Sequence, residues 1–134
     1  MNIFFDVDDT LLSFDGALRP NTHQVLEQLI ADGHTVYIWS GVGIRKAFVE
    51  REGLGHLVAG IYQKPLSDFA AGLATFGIPV LPDFVVDDYP EIVEHFGGLH
   101  IKPYMRGMQT DTELLAIPAL VEALAQARSL DGED

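Results

Sequence analysis

The chain has 134 residues, 48% of them hydrophobic and 21% charged, which fits one globular domain with a real core and leaves too little for a second. Lysine and arginine number 8 against 20 aspartates and glutamates, and the formal charge of −12 argues against nucleic acid or an anionic membrane as partner, because both select basic surface. Cysteine is absent, so disulfides, thiolate metal sites and thiol nucleophiles are excluded, and any metal must be held by oxygen or imidazole.

Met1-Asn2-Ile3-Phe4-Phe5-Asp6 opens the chain without a basic n-region and with an acid in its first apolar run, unlike a secretory signal. No apolar run approaches the roughly 18–20 residues of a membrane span, and the expected location is the cytoplasm. Ile3-Phe4-Phe5 reads as a buried strand ending at Asp6. Residues 11–20 carry turn chemistry at Asp15-Gly16 and Pro20. Asn21 is the expected N-cap of a helix whose Val25, Leu26, Leu29 and Ile30 recur at helical spacing and which stops at Gly33. The β-branched and aromatic run Thr35–Trp39 is the second strand. A helix is predicted over residues 44–52, then a weaker strand over 57–62 interrupted by Gly60. Ser67 is placed to cap a helix that ends at Gly77. Phe84-Val85-Val86 is a fourth strand, 91–96 a short helix and 99–101 a fifth strand. The last helix is predicted over 113–128 with Pro118 in its first turn or at a kink, and 130–134 as a frayed acidic tail beyond a single domain of residues 1–129.

Alternating strands and helices argue for an α/β fold, a parallel sheet with helices on both faces, and its near-continuous apolar strands suit burial on both sides. Ligands of such sheets sit beyond the carboxyl ends of the strands. The first strand ends in Asp6-Val7-Asp8-Asp9-Thr10, the second in Ser40-Gly41, the third is followed by Lys64, and the fourth ends in Asp87-Asp88. Carboxylates gathered at a buried edge are costly unless paired. Four acids (Asp6, Asp8, Asp87, Asp88) against one lysine leave a negative excess that a hard, oxygen-liganded divalent cation relieves, Mg²⁺ being usual at phosphate sites. Asp6 and Asp8 can face one crevice, one to attack phosphorus and the other to manage the leaving-group proton. Ser40 and the Gly41 amide can bind phosphoryl oxygens, and Lys64 can neutralise them.

These four motifs, in this order and each at a strand end, resemble the haloacid dehalogenase-like hydrolase superfamily, mostly aspartate-dependent phosphatases. The resemblance runs from Ile3 to about Ile101. It implies a three-layer α/β/α Rossmann-like domain with a five-stranded parallel sheet ordered 5-4-1-2-3. It implies an Mg²⁺-dependent phosphatase acting on a phosphorylated substrate. In that reading Asp6 is the nucleophile that becomes an aspartyl-phosphate and Asp8 the general acid and then base. Lys64 stabilises the reacting group, and Thr10, Ser40, Gly41 and Lys64 bind the phosphate. The metal falls to Asp6, the Asp8 carbonyl and Asp87, with Asp88 a ligand through water or a partner of Lys64. An acid at Asp8, which dehalogenase members lack, favours phosphoryl transfer over carbon–halogen cleavage.

Only 29 residues separate Thr10 from Ser40 and 23 separate Ser40 from Lys64, so no cap domain is expected and the site should be open. The five histidines lack metal-binding spacing, Trp39 is read as core, Arg45 as a coat on its helix, and Phe14 and Tyr89 as candidates to touch substrate. Gly41-Val42-Gly43 lacks the third glycine and the ribose-binding acid of a dinucleotide loop. A phospho-accepting receiver domain, or a non-catalytic regulatory domain on a phosphatase-like fold, is the competing reading. Asp87-Asp88 after the lysine argues against the first, and retention of both Asp6 and Asp8 against the second.

Overall fold

A computed structural model describes residues 1–132. Five parallel strands, β1 (Asn2–Asp6), β2 (Thr35–Ser40), β3 (Gly60–Gln63), β4 (Phe84–Asp87) and β5 (Gly98–His100), form one sheet in the order β3-β2-β1-β4-β5. This is the expected 5-4-1-2-3 order. It makes β1 the central strand, with Asp6 in register with Trp39 on one side and Phe5 with Val86 on the other.

Alternate residues of the central strands feed two cores. Ile3, Phe5, Val36, Ile38 and Val86 face α1 (Thr22–Ala31), α2 (Lys46–Arg51) and α5 (Ile117–Gly132). Phe4, Tyr37, Trp39 and Val85 face α3 (Phe69–Thr75) and α4 (Pro90–Phe96). The Phe4 ring stacks on Tyr37 at 4.7 Å and tilts against Trp39 at 4.5 Å, so Trp39 is core as its sequence context suggests. Burial on both faces explains why the strands read as apolar runs rather than as alternating patterns.

Several local expectations are corrected. Asn21 does not cap α1 through its side chain: it sits in the left-handed region at φ 73°, and the Thr22 hydroxyl instead donates to the Arg19 carbonyl at 2.7 Å. Ser67 does not cap α3, which starts two residues later after Asp68 turns at φ 46°. That helix packs closely on the Lys64-Pro65 corner, where a Cβ on Gly72 would meet the Pro65 Cβ at 2.4 Å. Gly60 begins β3 rather than interrupting it, because pairing with Tyr37 starts there. The last helix opens as a 3₁₀ turn (Glu113–Ala116), with Pro118 in the first turn of α5, where its missing N–H costs nothing. α5 runs on to Gly132, past the point where fraying is expected; Glu133 and Asp134 lie outside the described residues.

β5 depends on one glycine. Gly98 has φ 141°, and a Cβ there would lie 2.0 Å from the Val85 carbonyl oxygen. Gly98→Ala therefore combines backbone strain with a clash against the β4 backbone, and we expect a loss of about 3 kcal/mol in urea unfolding. A loss under about 0.5 kcal/mol, typical of neutral surface changes, would show that the β4–β5 edge relaxes freely.

Candidate active site

The site begins with the chain's exit from β1. Amides of Thr10, Leu11 and Leu12 all donate to the Val7 carbonyl, at 3.1, 2.9 and 3.0 Å. Asp9 takes φ 63°, a left-handed conformation that aspartate tolerates better than most residues. This tight coil brings Thr10 back onto the strand end, where its hydroxyl lies 3.1 Å from Asp6 Oδ2 and 3.4 Å from Asp88 Oδ1. Asp6 itself is buried.

From the other side, Lys64 follows β3, and its amide is tied to the Ser40 carbonyl at 2.9 Å. Its Nζ donates to Asp6 Oδ1 at 3.1 Å and to Asp87 Oδ2 at 2.8 Å. Asp87 ends β4 and is further oriented by the Tyr89 amide, which donates to Oδ1 at 2.9 Å. Ligand-capable oxygens of Asp6, Asp87 and Asp88 all lie within 4.8 Å of one another. Burial first, and then the Asp87 charge, push the Asp6 carboxyl well above the ordinary carboxylate range, and Lys64 does not cancel them. Burial also raises Asp87, against the pull of Lys64 and the Tyr89 amide. Burial opposes the Lys64 charge, yet the two carboxylates hold its pKa above the ordinary lysine value. Three carboxylates around one ammonium leave two negative charges, and the donor set is all oxygen. That set fits a hard divalent cation.

Asp8 stands apart from this cluster. Its Oδ2 accepts from Ser40 Oγ at 3.3 Å and from Arg45 Nη1 at 2.5 Å, and its side chain is about half exposed. Ser40 Oγ in turn accepts from the Val42 amide at 3.2 Å. The reading of Arg45 as a helix coat is thus corrected: it precedes α2, which starts two residues later than predicted, and reaches into the site. Gly41 leaves room for Leu66, whose Cδ2 would be 2.6 Å from a Cβ. Phe14 and Tyr89 are both exposed beside the crevice. His100 Nε2 lies 3.0 Å from the Asp88 carbonyl, and no histidine joins the carboxylate cluster among the described residues.

The residue that sequence reasoning missed is Arg19. Its fully buried guanidinium makes a two-pronged pair with Asp111, Nε to Oδ1 at 2.8 Å and Nη2 to Oδ2 at 3.0 Å. It also donates to the carbonyls of Thr10 at 3.1 Å and Lys102 at 2.9 Å and lies 5.2 Å from the Tyr104 ring centre. One side chain thus joins the coil after β1, the 11–20 loop and the segment after β5. The only sequence signal was an arginine in a turn-rich stretch, with its partner 92 residues away.

Residues 3–59, which hold β1, the coil, α1, β2, Ser40 and α2, match the family of haloacid dehalogenase-like hydrolases. Over that stretch the chain is similar to the haloacid dehalogenase-like hydrolases, and its strand order is the one that resemblance implies. Searches of curated proteins and of solved structures give no match. The matched stretch contains Asp6, Asp8, Thr10, Ser40 and Gly41, while Lys64, Asp87 and Asp88 lie beyond it and are joined to them by the sheet. Among the described residues no helix is long and apolar enough to cross a membrane.

The Arg19 pair generates a stability prediction. Partial burial pushes the Asp111 carboxyl up, but hydrogen bonds from Arg19 and the Glu113 amide, with the guanidinium charge, hold it below the ordinary range. A depressed folded-state pKa stabilises the fold above the unfolded value of about 3.9, and the gain fades as pH falls through the folded value. Arg19→Met should cost about 3–5 kcal/mol at pH 7, because it strands Asp111 and two carbonyls. Asp111→Asn should flatten the acid limb of the stability–pH curve below about pH 4. An acid limb of unchanged steepness in Asp111→Asn would assign it to other carboxylates.

Proposed function

We propose that the chain is a divalent-cation-dependent phosphomonoester hydrolase that works through an aspartyl-phosphate on Asp6. The observation that carries this reading is the separation of two carboxylates issuing from one turn. Asp6 is buried against Lys64 and Asp87, whereas Asp8 is half exposed against Ser40 and Arg45. Carboxylates in such different surroundings are suited to different tasks.

In this reading an Asp6 carboxylate oxygen attacks the substrate phosphorus, and the bond from phosphorus to the ester oxygen breaks. Asp8 gives its proton to the departing oxygen. Asp8 then takes a proton from a water that attacks the phosphorus of the aspartyl-phosphate, releasing inorganic phosphate and restoring Asp6. Thr10 Oγ1 beside Asp6, Ser40 Oγ beside Asp8, and the Gly41 amide that follows Ser40 are the donors assigned to the phosphoryl oxygens. Arg45 pairs with Asp8 while the crevice holds no anion; a phosphoryl group offers its guanidinium a better acceptor and frees Asp8 to carry a proton. Lys64 holds Asp6 and Asp87 in place and keeps a positive charge near the attacking oxygen. Asp6, Asp87 and Asp88, with the Asp8 carbonyl, would hold Mg²⁺, which supplies charge neutralisation for Asp6 and the phosphoryl oxygens when bound.

Asp6→Asn keeps the shape but not the nucleophile, and phosphate release from an aryl phosphate should fall more than about 10⁴-fold. Asp8→Asn should slow both half-reactions and let the aspartyl-phosphate accumulate, as trapped ³²P after acid quench. Lys64→Ala should cost about 10²–10³ in rate. Wild-type turnover by Asp6→Asn would remove the mechanism.

The carboxylate excess also makes the fold a sensor of the cation. Because Mg²⁺ binds only where the sheet gathers the acids, it should stabilise the native state by mass action, about 2.7 kcal/mol at a hundredfold excess over Kd. The expected result is a Tm that climbs with Mg²⁺ and climbs less in Asp88→Asn. Identical shifts in the two proteins would put the cation elsewhere.

A further inference from the structure

The proposed chemistry leaves unused a cleft of about 520 Å³ lined by Asp9, Phe14, Asp15, Met105 and Arg106. It lies between the 11–20 loop after β1 and the segment that follows β5. We propose that this cleft is the subsite for the substrate's leaving group, and that Met105 and Phe14 select an uncharged, apolar group, aromatic or branched. The inference rests on the phosphatase reading and names the substrate class for that site.

Its position is fixed by the site. Asp9, which lines the cleft, lies between Asp8 and Thr10, whose hydroxyl is 3.1 Å from Asp6 Oδ2, so the cleft adjoins the coil that carries the crevice. Whatever is bonded to a phosphoryl group at Asp6 must leave the crevice along one of its walls, and this wall is shaped.

The backbone of the cleft is built and its apolar tips are free. The Phe14 amide donates to the Met105 carbonyl at 3.0 Å, and the Tyr104 amide to the Asp9 carbonyl at 2.7 Å. The Asp15 carboxylate accepts from the Gly107 amide at 3.1 and 3.2 Å and from the Ser13 hydroxyl. Behind them the buried Arg19–Asp111 pair clamps both strands of chain. Against this fixed frame Phe14 is 92% exposed and Met105 58%. Single exposed apolar side chains are ordinary on a surface. Here two are paired through their backbones across one cleft that Asp9, the residue after Asp8, also lines. A preorganised frame spends little entropy on binding, and methionine adapts to an irregular apolar guest. Charge points the same way: the Asp15 carboxylate is already held by the Ser13 hydroxyl and the Gly107 amide, and Asp9 places a second carboxylate on the same wall, which disfavours an anionic guest.

The test is binding, so that its outcome does not depend on turnover. Benzylphosphonate, methylphosphonate and 2-aminoethylphosphonate are titrated calorimetrically into the full chain with saturating Mg²⁺. Benzylphosphonate should bind at least about tenfold tighter than methylphosphonate, the scale of a modest apolar contact. That ratio should fall toward one in Phe14→Ser/Met105→Ser and keep its wild-type value in Leu81→Ser, an exposed apolar change ahead of β4 at the far end of the sheet. Equal affinity for the two probes, preference for the aminoethyl compound, an unchanged ratio in the double variant, or no binding of any phosphonate would each overturn the proposal. Failure of the phosphatase reading shows separately, as no phosphate released from phenyl phosphate by wild type, whatever the ratio of affinities.

Discussion

Three carboxylates and one ammonium at the carboxyl edge of the central strand set the terms for everything around them. Asp6, Asp87 and Asp88 would repel one another apart without Lys64. Taking such charges out of water is worth while only when partners are held at fixed distance. The parallel sheet supplies that: β1 lies between β2 and β4, so Asp6 and Asp87 are delivered by adjacent strands, and Lys64 arrives from the next strand but one. The same edge leaves two negative charges uncompensated, so the geometry that costs stability in the bare protein prepares it for a cation.

Around that cluster the chain divides into parts that fix and parts that present. The coil after β1, with three amides on one carbonyl, returns Thr10 to Asp6 and turns Asp8 toward Ser40 and Arg45. Arg19 then locks the coil to a segment that lies more than eighty residues later, giving the crevice a wall without adding a domain. The intervals that could hold a cap contain the 11–20 loop and α1 in one case, and α2 and β3 in the other.

Much of this was legible in the linear chain. Apolar runs that break at Asp6, Ser40 and Asp87 mark both the strands and the site, because a doubly covered parallel strand must be apolar until it reaches its open end. The five strands followed from those runs, and their order from the family resemblance. What was illegible had a common cause. Arg45 and Arg19 look alike on paper, each an arginine near a helix start. One partner is 37 residues away and the other 92, and local propensity carries no information at that range. The caps expected of Asn21 and Ser67 are not made either: the left-handed residue before α1 is Asn21 and before α3 is Asp68, with no side-chain cap bond from either.

The sequence by itself determined which polar groups stand at the strand ends and that a parallel sheet would bring them to one edge, because hydrophobic period and strand-end residues are local properties. Only the tertiary structure decided how those groups share protons and charge. It paired Lys64 with Asp6 and Asp87, gave Asp8 to Arg45, and buried Arg19 where it joins the two walls of the crevice. Those pairings depend on distances of a few ångströms between distant segments, where Coulomb and hydrogen-bond energies change steeply, and no local pattern fixes them.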